Sequence, residues 1–382
     1  GAENMPTIRE VKTELRHSEW AEQIQECQSS GSIGILTYAF LHDIMQLYHQ
    51  RKDGNKMKNE LCYYCDLSVF KSIIENREFW LSDIHFMNDS SEESLFLDAL
   101  TDVMKKMREN LSDSTKAYLD KNSSIDSFFT NIKYNYKNMI YICCFTDGKN
   151  DDLSQWRGYA SDGTGLCIGF KKNKIKQLSK IRDIERHKIN QNEKYQIDHF
   201  STSFIFAQHE IYYSNKAEIM QKLEAIIAPI VDEYDATDKK TLSPPFPDSK
   251  FTQQLFHKIH HFKAFYKNQS FKSEKEYRIC LFDSLHEEAI GKADDALMEN
   301  MKAKYYFSNE IELSELKFRV GRGSLIPYRV LKFSKNAFDP MLSSVTIGPK
   351  NPMSIEDVKY FLIANGLETS KISIMKSEST YQ

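Results

Sequence analysis

Two apolar runs, residues 141–145 (YICCF) and 165–170 (GLCIGF), bracket the most patterned part of the chain. Each has the length and apolar content of a buried strand. Between them the polarity inverts. Asp151, Asp152, Ser154, Gln155, Trp156, Arg157 and Tyr159 predict a polar loop and a short helix, followed by a Gly-bearing turn. Trp156 and Tyr159, three apart, share one helix face, and their polar neighbours limit how much of the helix can be buried. The segment is therefore expected to wall a pocket, with both rings partly buried and open to stacking. Simple core packing by the two rings is the alternative.

The rest of the chain alternates between helical and strand periods. Residues 7–54 repeat apolar positions at three- and four-residue steps (Trp20, Ile24, Ile35, Leu36, Phe40, Ile44, Leu47), broken by Gly31 and Gly34. They predict an amphipathic helical layer that serves as an accessory layer, a homo-oligomerisation surface or a partner-docking arm. A charged linker, 51–58, leads to a strand at 61–64 and to a helix capped by Asp66 or Ser68. A strand at 79–82 ends in Ser82. The turn 88–92 opens a long charged helix over 93–121, and the pattern continues over 125–137. The basic run 171–188 predicts a solvated helix face, and is the best local candidate for phosphate contact. A strand at 209–213, a helix at 217–234, a Pro-rich loop at 241–248, a helix at 250–265 and a strand at 274–282 follow. The end is expected to be β, loop, then β-α-β: 317–320, 328–333, 345–347, 355–365 and 372–375, with Gly366 as a left-handed cap.

Length and charge set bounds. The 382 residues carry a formal charge of −3, so nucleic-acid binding would need a local patch rather than a global field. Three parts are expected: a helical extension over 1–60, an α+β core over 61–290 and a closing part of the same domain over 291–382. No apolar run approaches membrane-spanning length, and the first residues lack a signal-peptide pattern, so a cytoplasmic protein without a membrane partner is expected. Of the seven cysteines, Cys62 and Cys65 have metal or redox spacing. Yet no second CxxC or His pair follows, and strand positions three apart face opposite ways. No metal site is expected. His257 and His261 share a helix face without the Glu of a zinc protease.

The sharpest chemical pattern is SEKEYRIC, residues 273–280. Strand alternation places Glu274, Glu276 and Arg278 on one face, and three charges in a row on a central strand are costly to bury unpaired. Either the face is exposed or structurally paired, or a carboxylate pair points into a cleft with Arg278 anchoring it. A P-loop, a nucleophile elbow, a zinc-protease motif and a kinase set are all absent.

Four pieces resemble, in order, the bacterial family catalogued as domain of unknown function 2971: residues 61–93, 141–170, 273–282, and 343–362 with the tail at 372–381. The resemblance covers residues 61–382 and implies no activity. The order also resembles ADP-ribosyltransferases, which implies a split or mixed, mainly antiparallel sheet; with the N-terminal helical layer and the C-terminal β-α-β closure read from the pattern, the expected fold is α+β. By that likeness Tyr63 and Tyr64 on the first strand, Ser82, Trp156, Tyr159 and Arg278 hold NAD, the substrate, and Glu276 and Glu274 are catalytic. Tyr63 stands where a His or Lys is common in the matched family. The implied function is ADP-ribosyl transfer from NAD to nucleic acid, protein or water, suited to a toxin or phage-defence effector. A non-catalytic nucleotide- or nucleic-acid-binding defence module is one alternative. A metal-dependent nuclease using Asp89, Glu92, Asp151, Asp152 and Glu276 is another.

Overall fold

The computed structural model describes residues 59–87, 90–122, 140–148, 151–180, 184–189, 195–200, 204–238, 250–283, 301–307, 310–321 and 323–381. These fall in one unit, Asn59–Gln382. The expected helical layer up to residue 58, the pattern over 125–137 and the Pro-rich loop lie outside the described residues.

The strands are β1 (Glu60–Cys65), β2 (Glu78–Asp83), β3 (Ile140–Asp147), β4 (Leu166–Lys171), β5 (Ile184–Ile189), β6 (Tyr195–Phe200), β7 (Phe204–Glu210), β8 (Tyr212–Ser214), β9 (Tyr266–Asn268), β10 (Glu276–Asp283), β11 (Lys304–Phe307), β12 (Ile311–Leu313), β13 (Lys317–Gly321), β14 (Ser324–Phe333), β15 (Leu342–Ile347) and β16 (Ser373–Lys376). The helices are α1 (Leu67–Asn76), α2 (Ser90–Asn110), α3 (Asp113–Asn122), α4 (Leu153–Tyr159), α5 (Lys172–Lys176), α6 (Lys216–Ala236), α7 (Lys250–Ala264), α8 (Lys335–Phe338) and α9 (Ile355–Ala364). The protein is mixed α+β with a mainly antiparallel open sheet.

β3 is the hub of that sheet. Along one edge it pairs with β10, from Glu276↔Thr146 to Phe282↔Ile140. Along the other edge it holds two strands in succession: β1 at its end, through Cys62↔Thr146, and β2 at its start, through Ser82↔Ile142. β7 covers the far edge of β10, so β10 is internal. The only parallel pair in this sheet among the described residues is β15–β16, joined through α9. A capping box of Ser354 and Asp357 opens α9, and Gly366, at φ +74°, turns the chain after it.

β3 is apolar on both faces because both are covered. Ile140 and Ile142 join Cys280 of β10 under α2, α6 and α7, whose Phe96, Leu223, Ile227 and Ile259 fill that cluster. Tyr141, Cys143 and Phe145 join Phe79, Tyr277 and Ile279 in the larger core beneath α1 and α9.

Local chemistry overrides several expected boundaries. The long helix over 93–121 is two helices, because the Ser112 N–H and hydroxyl both donate to the Asp235 carboxylate of α6. The basic run is not one solvated helix: α5 is a single short stretch and β5 begins at Ile184. Lys172 is buried there, donating to Asp147 and, at 3.0 Å, to Glu210. The strand expected at 209–213 divides into β7 and β8, and β8 leaves the main sheet to pair in parallel with β9.

Candidate functional site

The charged strand start is folded differently from strict alternation. Glu274 ends a 3-10 turn, Gln269–Glu274, and Lys275 takes a left-handed conformation at φ 46° before β10 begins at Glu276. Glu274 is therefore off the strand, yet the kink still brings the two carboxylates together. Both reach Lys267 of β9: its ammonium lies 2.5 Å from Glu274 Oε2 and 2.9 Å from Glu276 Oε2.

Glu276 is sunk beneath this rim, 6% exposed. Arg278 Nε donates to its Oε1 at 2.5 Å and Arg278 Nη2 to its Oε2 at 3.3 Å. The guanidinium is itself fixed by a 2.9 Å bond from Nη1 to the Ala264 carbonyl at the end of α7. Burial alone would raise the Glu276 carboxyl, but Arg278 and Lys267 overcome it and hold it at about 2. Lys267 is likewise pulled down by burial and pushed up, beyond its ordinary range, by the two glutamates. The parallel β8–β9 pairing aligns Tyr213 with Lys267, and the Tyr213 hydroxyl accepts the Glu276 N–H at 2.7 Å. Burial raises this phenol to about 12.

Glu274 is the more accessible carboxylate. Its Oε1 accepts the Tyr159 hydroxyl at 2.8 Å, and Tyr159, at the end of α4, is 39% exposed. Burial and the Glu274 charge raise the Tyr159 phenol, so it stays a donor at neutral pH. On the inner side of α4, Gln155 accepts the Thr146 hydroxyl at 3.0 Å. Thr146 is the register partner of Glu276. The rim thus offers one carboxylate and one phenol over a buried Lys267–Glu276–Arg278 cluster.

Residues 155–279 match the family described as Protein of unknown function (DUF2971). That DUF2971 span takes in Gln155, Tyr159, Tyr213, Lys267, Glu274, Glu276 and Arg278, the whole of the cluster except Thr146. The resemblance expected over 61–93 and beyond 279 lies outside it. No curated protein and no solved structure matches the chain.

Other expected site residues lie elsewhere. Trp156 is fully buried in a small cluster with Cys62, Tyr64, Ala160 and Cys167. Its indole N–H donates to Asp151 at 2.7 Å, which lets the polar-flanked ring go under. The expected open stacking face is absent; Trp156 is core and only Tyr159 reaches the rim. Tyr64 packs edge-to-face on Trp156, and its hydroxyl accepts the Asp152 N–H at 3.0 Å. Tyr63 points to the opposite face of β1, edge-to-face on Phe145 in the larger core. Ser82 pairs with Ile142, four residues along β3 from the Glu276 register, and accepts from Arg319. Asp151 holds Trp156 and the C-terminal tail, and Asp152 caps α4. Those two carboxylates are committed to structure, and the side chains of Asp89 and Glu92 lie outside the described ones.

Sequence reasoning missed Lys267 and Tyr213. The signal for Lys267 is present, a lysine directly after the apolar run Ala264, Phe265 and Tyr266. Its meaning depends on β9 pairing with β8. Cys62 and Cys65 fall into different clusters on opposite faces. Among the described residues no group of three or more His, Cys, Asp or Glu side chains is arranged to hold a metal ion, and no helix is long and apolar enough to cross a membrane.

Proposed function

We propose that the chain is an ADP-ribosyltransferase-like enzyme that uses NAD at the Glu274–Tyr159 rim. The observation carrying this reading is the convergence of two carboxylates from one strand start on Lys267, with the outer one reachable and the inner one held ionised. Glu274 accepts one hydrogen bond on each oxygen, which leaves lone pairs for a ligand hydroxyl. Tyr159 presents an exposed ring beside it for a flat heterocycle.

The chemistry follows from these groups. The bond between the ribose C1′ and the nicotinamide nitrogen breaks, and its electron pair neutralises the pyridinium. Positive charge then builds on the ribose, as in glycoside cleavage. The Glu274 carboxylate stabilises that charge and takes the proton of the attacking acceptor hydroxyl or water. Glu276 and Arg278 are positioning residues, setting Lys267 and hence Glu274. The acceptor is a nucleic acid, a protein or water, and an antiviral or toxin role is proposed by analogy alone.

Full engagement of Glu276 by Lys267 and Arg278 favours a second reading, a nucleotide-binding module without turnover. Thermal melting with NAD and with ADP-ribose separates both from a chance likeness. Stabilisation of the wild type by either ligand, lost in Glu274→Gln, supports a ligand site at the rim. No shift with either ligand at a millimolar dose overturns it.

A further inference from the structure

We propose that a second ligand site lies on the β2–β14–β13 face, taking a phosphate attached to a planar ring. That chemistry is shared by free nucleotides and single-stranded nucleic acid. Register places its residues on one side: Trp80 opposite Val330 and Ser82 opposite Tyr328, then Lys317 opposite Tyr328 and Arg319 opposite Ile326.

Its apolar half is a built stacking platform. The Trp80 and Tyr328 rings stack at 4.6 Å and 26°. Tyr328 lies beneath, 9% exposed, while Trp80 keeps 42% of its surface in solvent. The indole N–H donates to Glu78 at 2.9 Å, which fixes the ring plane. An exposed indole backed by a second ring is the form that sequence-tolerant base stacking takes.

Its polar half is Arg319. Nη2 donates to the Ser82 hydroxyl at 3.3 Å, and Nε is buried without a hydrogen bond. Among the described residues no carboxylate pairs with this guanidinium. Glu78 is engaged by Trp80, and Glu315 faces Lys304 at 3.7 Å and Lys317 at 3.9 Å. A half-buried cation with a dry donor lacks a counter-charge, and a planar fork of donors matches a phosphate. The site is separate from the Glu274 rim, since Ser82 meets β3 at Ile142 and Glu276 meets it at Thr146.

Binding of inorganic phosphate, AMP and an unstructured oligothymidylate is measured by calorimetry at two salt concentrations. AMP or the oligonucleotide should bind more tightly than phosphate. In Glu274→Gln, whose rim is disabled, Trp80→Leu and Arg319→Gln should each weaken that binding by roughly tenfold or more. Comparable AMP and oligonucleotide affinities identify a free nucleotide; oligonucleotide binding alone, steeply salt-dependent, identifies a strand. Absence of saturable binding below about 1 mM overturns the site, as does affinity of Glu274→Gln that survives the addition of Trp80→Leu. Because Trp80 is exposed, that variant decides even where Arg319→Gln fails to fold.

Discussion

Lys267 sits between two glutamates at 2.5 and 2.9 Å while 6% exposed, so its loss is a test of buried pairing. Lys267→Met should cost about 3–5 kcal/mol, the range for breaking a buried pair on one side, read by denaturant unfolding. Glu276→Gln should also lower stability, because Arg278 would keep its charge without its partner. The acid limb follows from the same group. Its folded pKa is depressed from 4.5 to about 2, so its contribution is fully present above pH 4.5 and is lost as pH falls toward 2. Unfolding free energy should therefore decline through that window in the wild type, and less steeply in Glu276→Gln. Trp156→Ala should cost about 3–5 kcal/mol as a core truncation and leave ligand affinity unchanged. The clustering of Glu276 and Arg278 was legible from strand alternation. The burial of Trp156 was not, because it depends on Asp151 accepting the indole N–H, and a flanking polar residue reads equally well as a mark of exposure.

At the scale of elements, α4 is held from outside by the C-terminal tail. Asp151 accepts the Ser377 hydroxyl at 2.5 Å and the Glu378 N–H at 2.8 Å, beside the Trp156 indole. The Tyr381 hydroxyl donates to Asp162 at 2.6 Å, and its ring lies between Arg157 and Lys350. Since α4 carries Tyr159, deletion of residues 377–382 should loosen the rim. We expect faster proteolysis within residues 148–165 and a red-shifted Trp156 emission. Unchanged protection would mean the tail is an ornament to a helix already fixed by its core face. Element starts were legible where a cap marked them, as at Asp66. The start of β10 was not, because the left-handed turn at Lys275 lacks the Gly or Asn that usually announces one.

Across the whole unit, the β15–α9–β16 closure could be read from apolar runs and Gly366, since its contacts are close in sequence. The hub role of β3 could not. It depends on pairings of β3 with distant strands, which with β10 run from 130 residues apart at Glu276 and Thr146 to 142 at Phe282 and Ile140, and alternation within one strand is silent about its neighbours. The central claim is that the Glu274 rim spends its carboxylate on NAD, and release of nicotinamide from NAD by the full chain measures it most directly. The account predicts release by the wild type, and a fall of about a hundred- to a thousandfold in Glu274→Gln at temperatures where that variant is still folded. Release by Glu274→Gln at the wild-type rate, or no release and no NAD binding by the wild type, would contradict it.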